Sequence, residues 1–85
     1  ELIEAMDWYN AQKPGLGDRF VREFWSTVQQ VSDTPMAYTK VSRTARKCNL
    51  KSFEYGIIYR VRDQTILIAA VAHLKRRPGY WQHRR

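Results

Sequence analysis

The sequence predicts an α+β fold, a helical hairpin packed on a small antiparallel sheet, and three observations carry that prediction. Apolar residues recur at helical spacing in the first third of the chain and at strand-like spacing in the remainder. A Pro14-Gly15-Leu16-Gly17 link joins the two helical stretches, and a polar turn, Arg62-Asp63-Gln64-Thr65, joins the last two strand-like ones. The predicted order is helix, helix, strand, strand, strand. A chain of 85 residues builds one core and no more, so residues 1–85 are read as a single domain.

In the first helix, Leu2, Ala5, Met6 and Tyr9 fall on one face, with Glu1, Glu4, Asp7 and Asn10 elsewhere, and Pro14-Gly15 ends it. The second is expected to open around Gly17-Asp18, with Asp18 capping the free amides, and to close at Asp33-Thr34-Pro35. Its stripe is Phe20, Phe24, Val28 and Val31, with Val21 and Trp25 beside it. The short link folds the two helices into an antiparallel hairpin; as a phosphate-binding loop it lacks the glycine spacing and a preceding strand.

A connecting stretch covers Met36 to Val41, and the period then changes. Arg46 to Lys51 alternates weakly, Tyr55 to Arg62 is rich in Tyr, Ile and Val, and Thr65 to Ala72 is almost wholly apolar. That last strand lacks a polar face, which is the pattern of a strand covered on both faces or seated inside a sheet. A strand before Glu1, or another molecule, is therefore expected along its free edge. No internal repeat or low-complexity segment interrupts the chain.

The totals bound the function. An apolar fraction of 44% and a charged fraction of 27% belong to an ordinary globule. No apolar run reaches the ~18 residues of a spanning helix and no signal-like segment opens the chain, so a cytoplasmic protein without a membrane partner is expected. Cys48 is the one cysteine, which leaves no internal disulfide and no cysteine pair for a metal; a packed thiol is expected, with no metal and no cofactor. Charge is divided: residues 1–42 hold four Lys/Arg against six Asp/Glu, and residues 43–85 hold eleven against two. A one-sided positive field favours nucleic acid or an acidic protein surface as partner.

Several stretches, taken together and in order, resemble the RelE/ParE superfamily of bacterial toxins, and its ParE-like, plasmid-stabilisation branch most of all. They are Asp7-Trp8-Tyr9, Pro14 to Phe20, Phe53 to Val61, and Ala70 to Pro78 with Trp81. The resemblance implies a strand, a helical hairpin and three antiparallel strands, the first strand falling before Glu1. It also implies a toxin of a type II toxin–antitoxin system, inhibiting growth and held inactive by a cognate antitoxin. The target implied is DNA gyrase for ParE-like members and messenger RNA on the ribosome for RelE-like ones. A homodimer or a toxin–antitoxin hetero-oligomer is the corresponding assembly. A module that binds its antitoxin without toxicity is the third reading.

Metal-free RNA cleavage needs a base, cations for the developing phosphorane and a stacking platform. Matched to the RelE-like pattern, the first strand lysine falls on Lys47, the second on Asn49, the next strand's arginine on Gly56, the late arginine on Arg77, and the terminal aromatic near Tyr80 or Trp81. Two of the four cations are thus missing, and each costs roughly 3 kcal/mol of transition-state stabilisation, which argues against an enzyme of that type. His73 and His83 are the other acid–base candidates. The catalytic candidates are accordingly Lys47, His73, Arg77 and Tyr80. Lys75, Arg76, Arg77, Tyr80 and Trp81 form the expected target-binding tail, and Trp8 and Trp25 the expected antitoxin contacts.

Overall fold

A computed structural model of the chain describes residues 2–75. Helix α1 spans Leu2–Gln12 and α2 spans Leu16–Asp33; β1 (Thr39–Lys40), β2 (Arg46–Asn49), β3 (Tyr55–Arg62) and β4 (Thr65–His73) follow. The strands are antiparallel and lie in the order β1-β2-β3-β4, so both helices precede a sheet built from consecutive neighbours.

The hairpin link works differently from the expected aspartate cap. Helix α2 starts at Leu16, and its cap position is Gly15 at φ 88°, a left-handed conformation natural to glycine that offers no side chain to the free amides. Asn10 of α1 supplies the missing acceptor, its Oδ1 receiving the Gly17 amide at 2.8 Å. Asp18 sits instead inside the first turn, where its charge opposes the positive helix end. A β-carbon on Gly17 would collide with the Met6 carbonyl and the Asn10 side chain, so the two helices cross closely at this glycine. The stripe of α2 is as expected at Phe20, Phe24 and Val31, all buried, but Thr27 is buried with them and Trp25 is 58% exposed. Thr27 tolerates this because its hydroxyl donates to the Glu23 carbonyl at 2.8 Å.

One face of the sheet meets the helices. Tyr55, Ile57, Tyr59 and Val61 of β3 alternate toward them, and Tyr9, Phe20, Phe53 and Tyr55 form an aromatic cluster with centroids 4.8 to 6.2 Å apart. Such pairs add about 0.5–1.5 kcal/mol each beyond the area they bury. Tyr59 is fully buried, and its hydroxyl donates to the Pro35 carbonyl at 2.6 Å, tying the linker after α2 to the sheet. Arg46 reinforces that tie by donating from Nη1 to the Tyr38 carbonyl at 2.7 Å. Ser52 completes the attachment through its amide, which donates to Glu23 Oε2 at 2.7 Å.

Two readings of the strands need correction. Strand β1 falls within the stretch read as a connection; two residues are too short to show alternation, and only pairing of Thr39 with Lys47 and of Lys40 with Arg46 defines it. Strand β4 is not covered on both faces throughout. Val71 and Ala72 are buried, but Leu67 and Ile68 are 43% and 40% exposed, because β4 is an edge of the sheet and its first half extends beyond the core. A bulge between Ile58 and Tyr59 shifts the register there, so that Ile58 pairs with Ala70 and Tyr59 with Ile68. The turn after β3 is the predicted one, with Asp63 at φ 56°, a conformation that aspartate accepts more readily than most residues.

Candidate functional site

The sheet separates the candidate residues into two surfaces. Lys47 and Asn49 on β2 and Gly56 and Ile58 on β3 turn away from the helices, opposite one another in the register. His73 pairs with Tyr55, which faces the helices, and the two rings lie 5.0 Å apart, edge to face. Lys47 and His73 therefore stand on opposite faces. The His73 Nδ1 accepts the Lys75 amide at 3.1 Å, which fixes the ring at the end of β4.

Packing around Gly56 leaves no room for an arginine at that position of β3. A β-carbon there would lie 2.8 Å from Asn49 Oδ1, 3.2 Å from Lys47 Cγ and 3.2 Å from Leu74 Cδ2. The space that a guanidinium stem would need is already held by the side chain replacing the second lysine. The two departures from the nuclease pattern, Asn49 and Gly56, are thus one packing arrangement. Its neighbours Ala45, Ile58 and Ala72 form a small buried cluster on this same face.

Lys75 pairs with Glu54, Nζ to Oε1 at 3.0 Å, but both side chains are more than half exposed and the pair contributes little to stability. The rest of the tail candidates, Arg76, Arg77, Tyr80, Trp81 and His83, lie outside the described residues.

Trp8 is 59% exposed and Trp25 58% exposed, and Ile3 on the first helix reaches 68%. Each tryptophan rests edge-on against one inner ring, Trp8 on Tyr9 at 5.1 Å and Trp25 on Phe24 at 4.9 Å, and shows the rest of its surface to solvent. These three large apolar side chains are thus left largely uncovered on the helical layer. A second apolar surface has no counterpart in the sequence reading. Val28 and Pro35, with Met36, Val61, Ile66 and Ile68, line an open groove of about 850 Å³ between the end of α2 and the β3–β4 turn. Met36 lies in the linker and Ile68 in a strand read as covered, so only their meeting in space reveals the groove.

Burial raises the titration of three side chains above their ordinary values: Tyr9, Tyr59 and Cys48. The Cys48 thiol is buried and held protonated, which makes it a poor nucleophile. Among the described residues no cluster of three His, Cys, Asp or Glu side chains is placed to hold a metal ion. No described helix is long and apolar enough to cross a membrane.

The chain is thus an α+β domain, a helical hairpin laid on one face of a four-stranded antiparallel sheet with the Lys47–Asn49–Gly56 group on the other. Residues 1–78 match the family described as "ParE toxin of type II toxin-antitoxin system, parDE", and the chain belongs to that family. It is 30% identical over 80 residues to "Toxin ParE2" of Mycobacterium tuberculosis, in strains CDC 1551 / Oshkosh and ATCC 25618 / H37Rv alike. The similarity covers 93% of this chain and 76% of each relative. No solved structure matches the chain.

Proposed function

We propose that this ParE-type toxin arrests growth by binding DNA gyrase without cutting RNA, and that a cognate antitoxin neutralises it by covering the helical hairpin. The observation that carries the non-nucleolytic reading is the filled position at Gly56: Asn49, Lys47 and Leu74 occupy the site where a RelE-like nuclease carries a transition-state cation. Lys47 and His73, standing on opposite faces, offer no joint acid–base geometry in its place. Membership of the ParE family supports gyrase as the target class, and action on gyrase sets the toxin in the cytoplasm. The exposed Ile3, Trp8 and Trp25 supply the antitoxin with apolar anchors. Lys75, Arg76, Arg77, Tyr80 and Trp81 form the target-binding tail in this reading.

Two assays with the full chain test it: supercoiling by purified gyrase, and cleavage of a message on purified ribosomes, each with and without antitoxin. Inhibited supercoiling, relieved by antitoxin, with intact message is the expected result. Ribosome-dependent cleavage would overturn it in favour of the nuclease, and inactivity in both assays with retained antitoxin binding would leave an antitoxin-binding module.

A further inference from the structure

Charge is divided between the two layers of the domain. Residues 2–33, the helical layer, hold three Lys/Arg against five Asp/Glu, whereas residues 34–75 hold eight against two. The two carboxylates of the second segment are engaged elsewhere: Glu54 pairs with Lys75, and Asp63 lines the groove on the helix side. On the sheet face turned from the helices, the register sets Lys47 opposite Ile58, Arg60 opposite Leu67 and Arg62 opposite Thr65. Arg60 and Arg62 are exposed and Lys47 is half-buried. No strand position on that face carries a carboxylate among the described residues.

We propose that this outer sheet face binds the phosphate backbone of double-stranded nucleic acid, without regard to sequence, through Lys47, Arg60 and Arg62. Residues two apart on a strand are separated by roughly 6.7 Å. A duplex strand advances about 3.4 Å per phosphate. That advance is measured along the helix axis, and the winding of the backbone sets neighbouring phosphates farther apart than the rise alone. Arg60 and Arg62 are therefore spaced to reach neighbouring phosphates of one strand, and Lys47, diagonal to Arg60 on the neighbouring strand, widens the contact across the sheet. Three cations on one sheet face with no strand carboxylate among the described residues suit a polyanionic backbone. Binding of single strands relies on aromatic platforms for the bases. Every described aromatic of the sheet, Tyr55 and Tyr59, faces the helices instead. The assignment is independent of gyrase as target and stands or falls separately from it.

The test is fluorescence anisotropy of a labelled 20-base-pair DNA duplex (about two helical turns) titrated with the full chain over a range of salt concentrations. Arg60→Gln/Arg62→Gln, whose side chains are exposed and whose fold is checked by circular dichroism, should weaken binding about tenfold or more at low salt. It should also lower the slope of log K against log salt by about 1 for each cation removed. Lys13→Gln/Arg19→Gln, the same charge change on the helical layer, should leave both quantities near those of the unmodified chain. Four results would overturn the proposal: no duplex binding, equal weakening by the helical control, tighter binding of a single-stranded RNA of the same length, or competition by poly-glutamate as effective as by unlabelled duplex.

Discussion

Asn49 Oδ1 lies 2.8 Å from the point that a β-carbon on Gly56 would occupy, across the β2–β3 pairing of these two residues. Neighbouring side chains fill the glycine's empty side. Gly56→Ala must therefore displace the Asn49 amide, and the Lys47 and Leu74 stems leave little room for it to go. Such overpacking costs roughly 1–3 kcal/mol. Because Asn49 is exposed and its Oδ1 is the nearest obstacle, Gly56→Ala/Asn49→Ala should recover most of the loss, a coupling that a double-mutant cycle in urea measures directly.

Alkali should destabilise the fold through three wholly or partly buried acidic groups. Burial first of all raises Tyr59 and Tyr9 above the ordinary tyrosine value of 10.0 and Cys48 above the ordinary thiol value of 9.0, outweighing the smaller lowering effects of Arg46 on Tyr59, of the Glu54 backbone on Tyr9 and of Tyr38 on Cys48. The native chain then keeps these protons after the unfolded chain has released them. Their contribution is whole below the unfolded values and is lost as pH rises from them through the raised native values. The denaturation midpoint should fall between about pH 8 and about pH 11. Tyr59→Phe should make that fall shallower, while lowering stability at neutral pH by about 1–2 kcal/mol through loss of the Pro35 hydrogen bond.

Trp8→Ala and Trp25→Ala should change stability by no more than about 0.5 kcal/mol, as is usual for exposed positions. Affinity for the antitoxin should fall about tenfold or more in each, since an anchoring tryptophan commonly carries over 1 kcal/mol of binding. Calorimetric titration of the folded variants decides this, and unchanged affinity in both would move the antitoxin site to the groove at Met36 and Ile68.

Replacing Lys75, Arg76 and Arg77 together by Ala should abolish growth inhibition and leave the antitoxin complex intact. The described ion pair among these three, Lys75 with Glu54, is exposed and structurally minor, and the hydrogen bond from the Lys75 amide to His73 is untouched by a side-chain change. Gyrase inhibition by the unmodified chain should also weaken with salt, because exposed charges act over about 8 Å at physiological ionic strength. Full toxicity of the triple variant would reject the tail as effector surface.

The sequence by itself determined the hairpin, the β3–β4 turn and the family, because each depends on local signals. Helical spacing in Phe20, Phe24 and Val31, strand-like composition in Tyr55 to Arg62 and a polar turn at Asp63 are properties of adjacent residues, and chain stiffness and burial act on them over one or two turns. Tertiary structure decided whatever depends on residues far apart in the chain. Asn10 rather than Asp18 serves the amides of α2 because the helices cross closely at Gly17. Strand β4 is half exposed because exposure depends on what lies beside a strand, and its own apolar composition carries no record of a neighbour. Lys47 and His73 face apart because the direction of a strand side chain is set by register, which a single bulge or turn shifts. The groove at Val28, Met36 and Ile68 exists only where three distant segments meet.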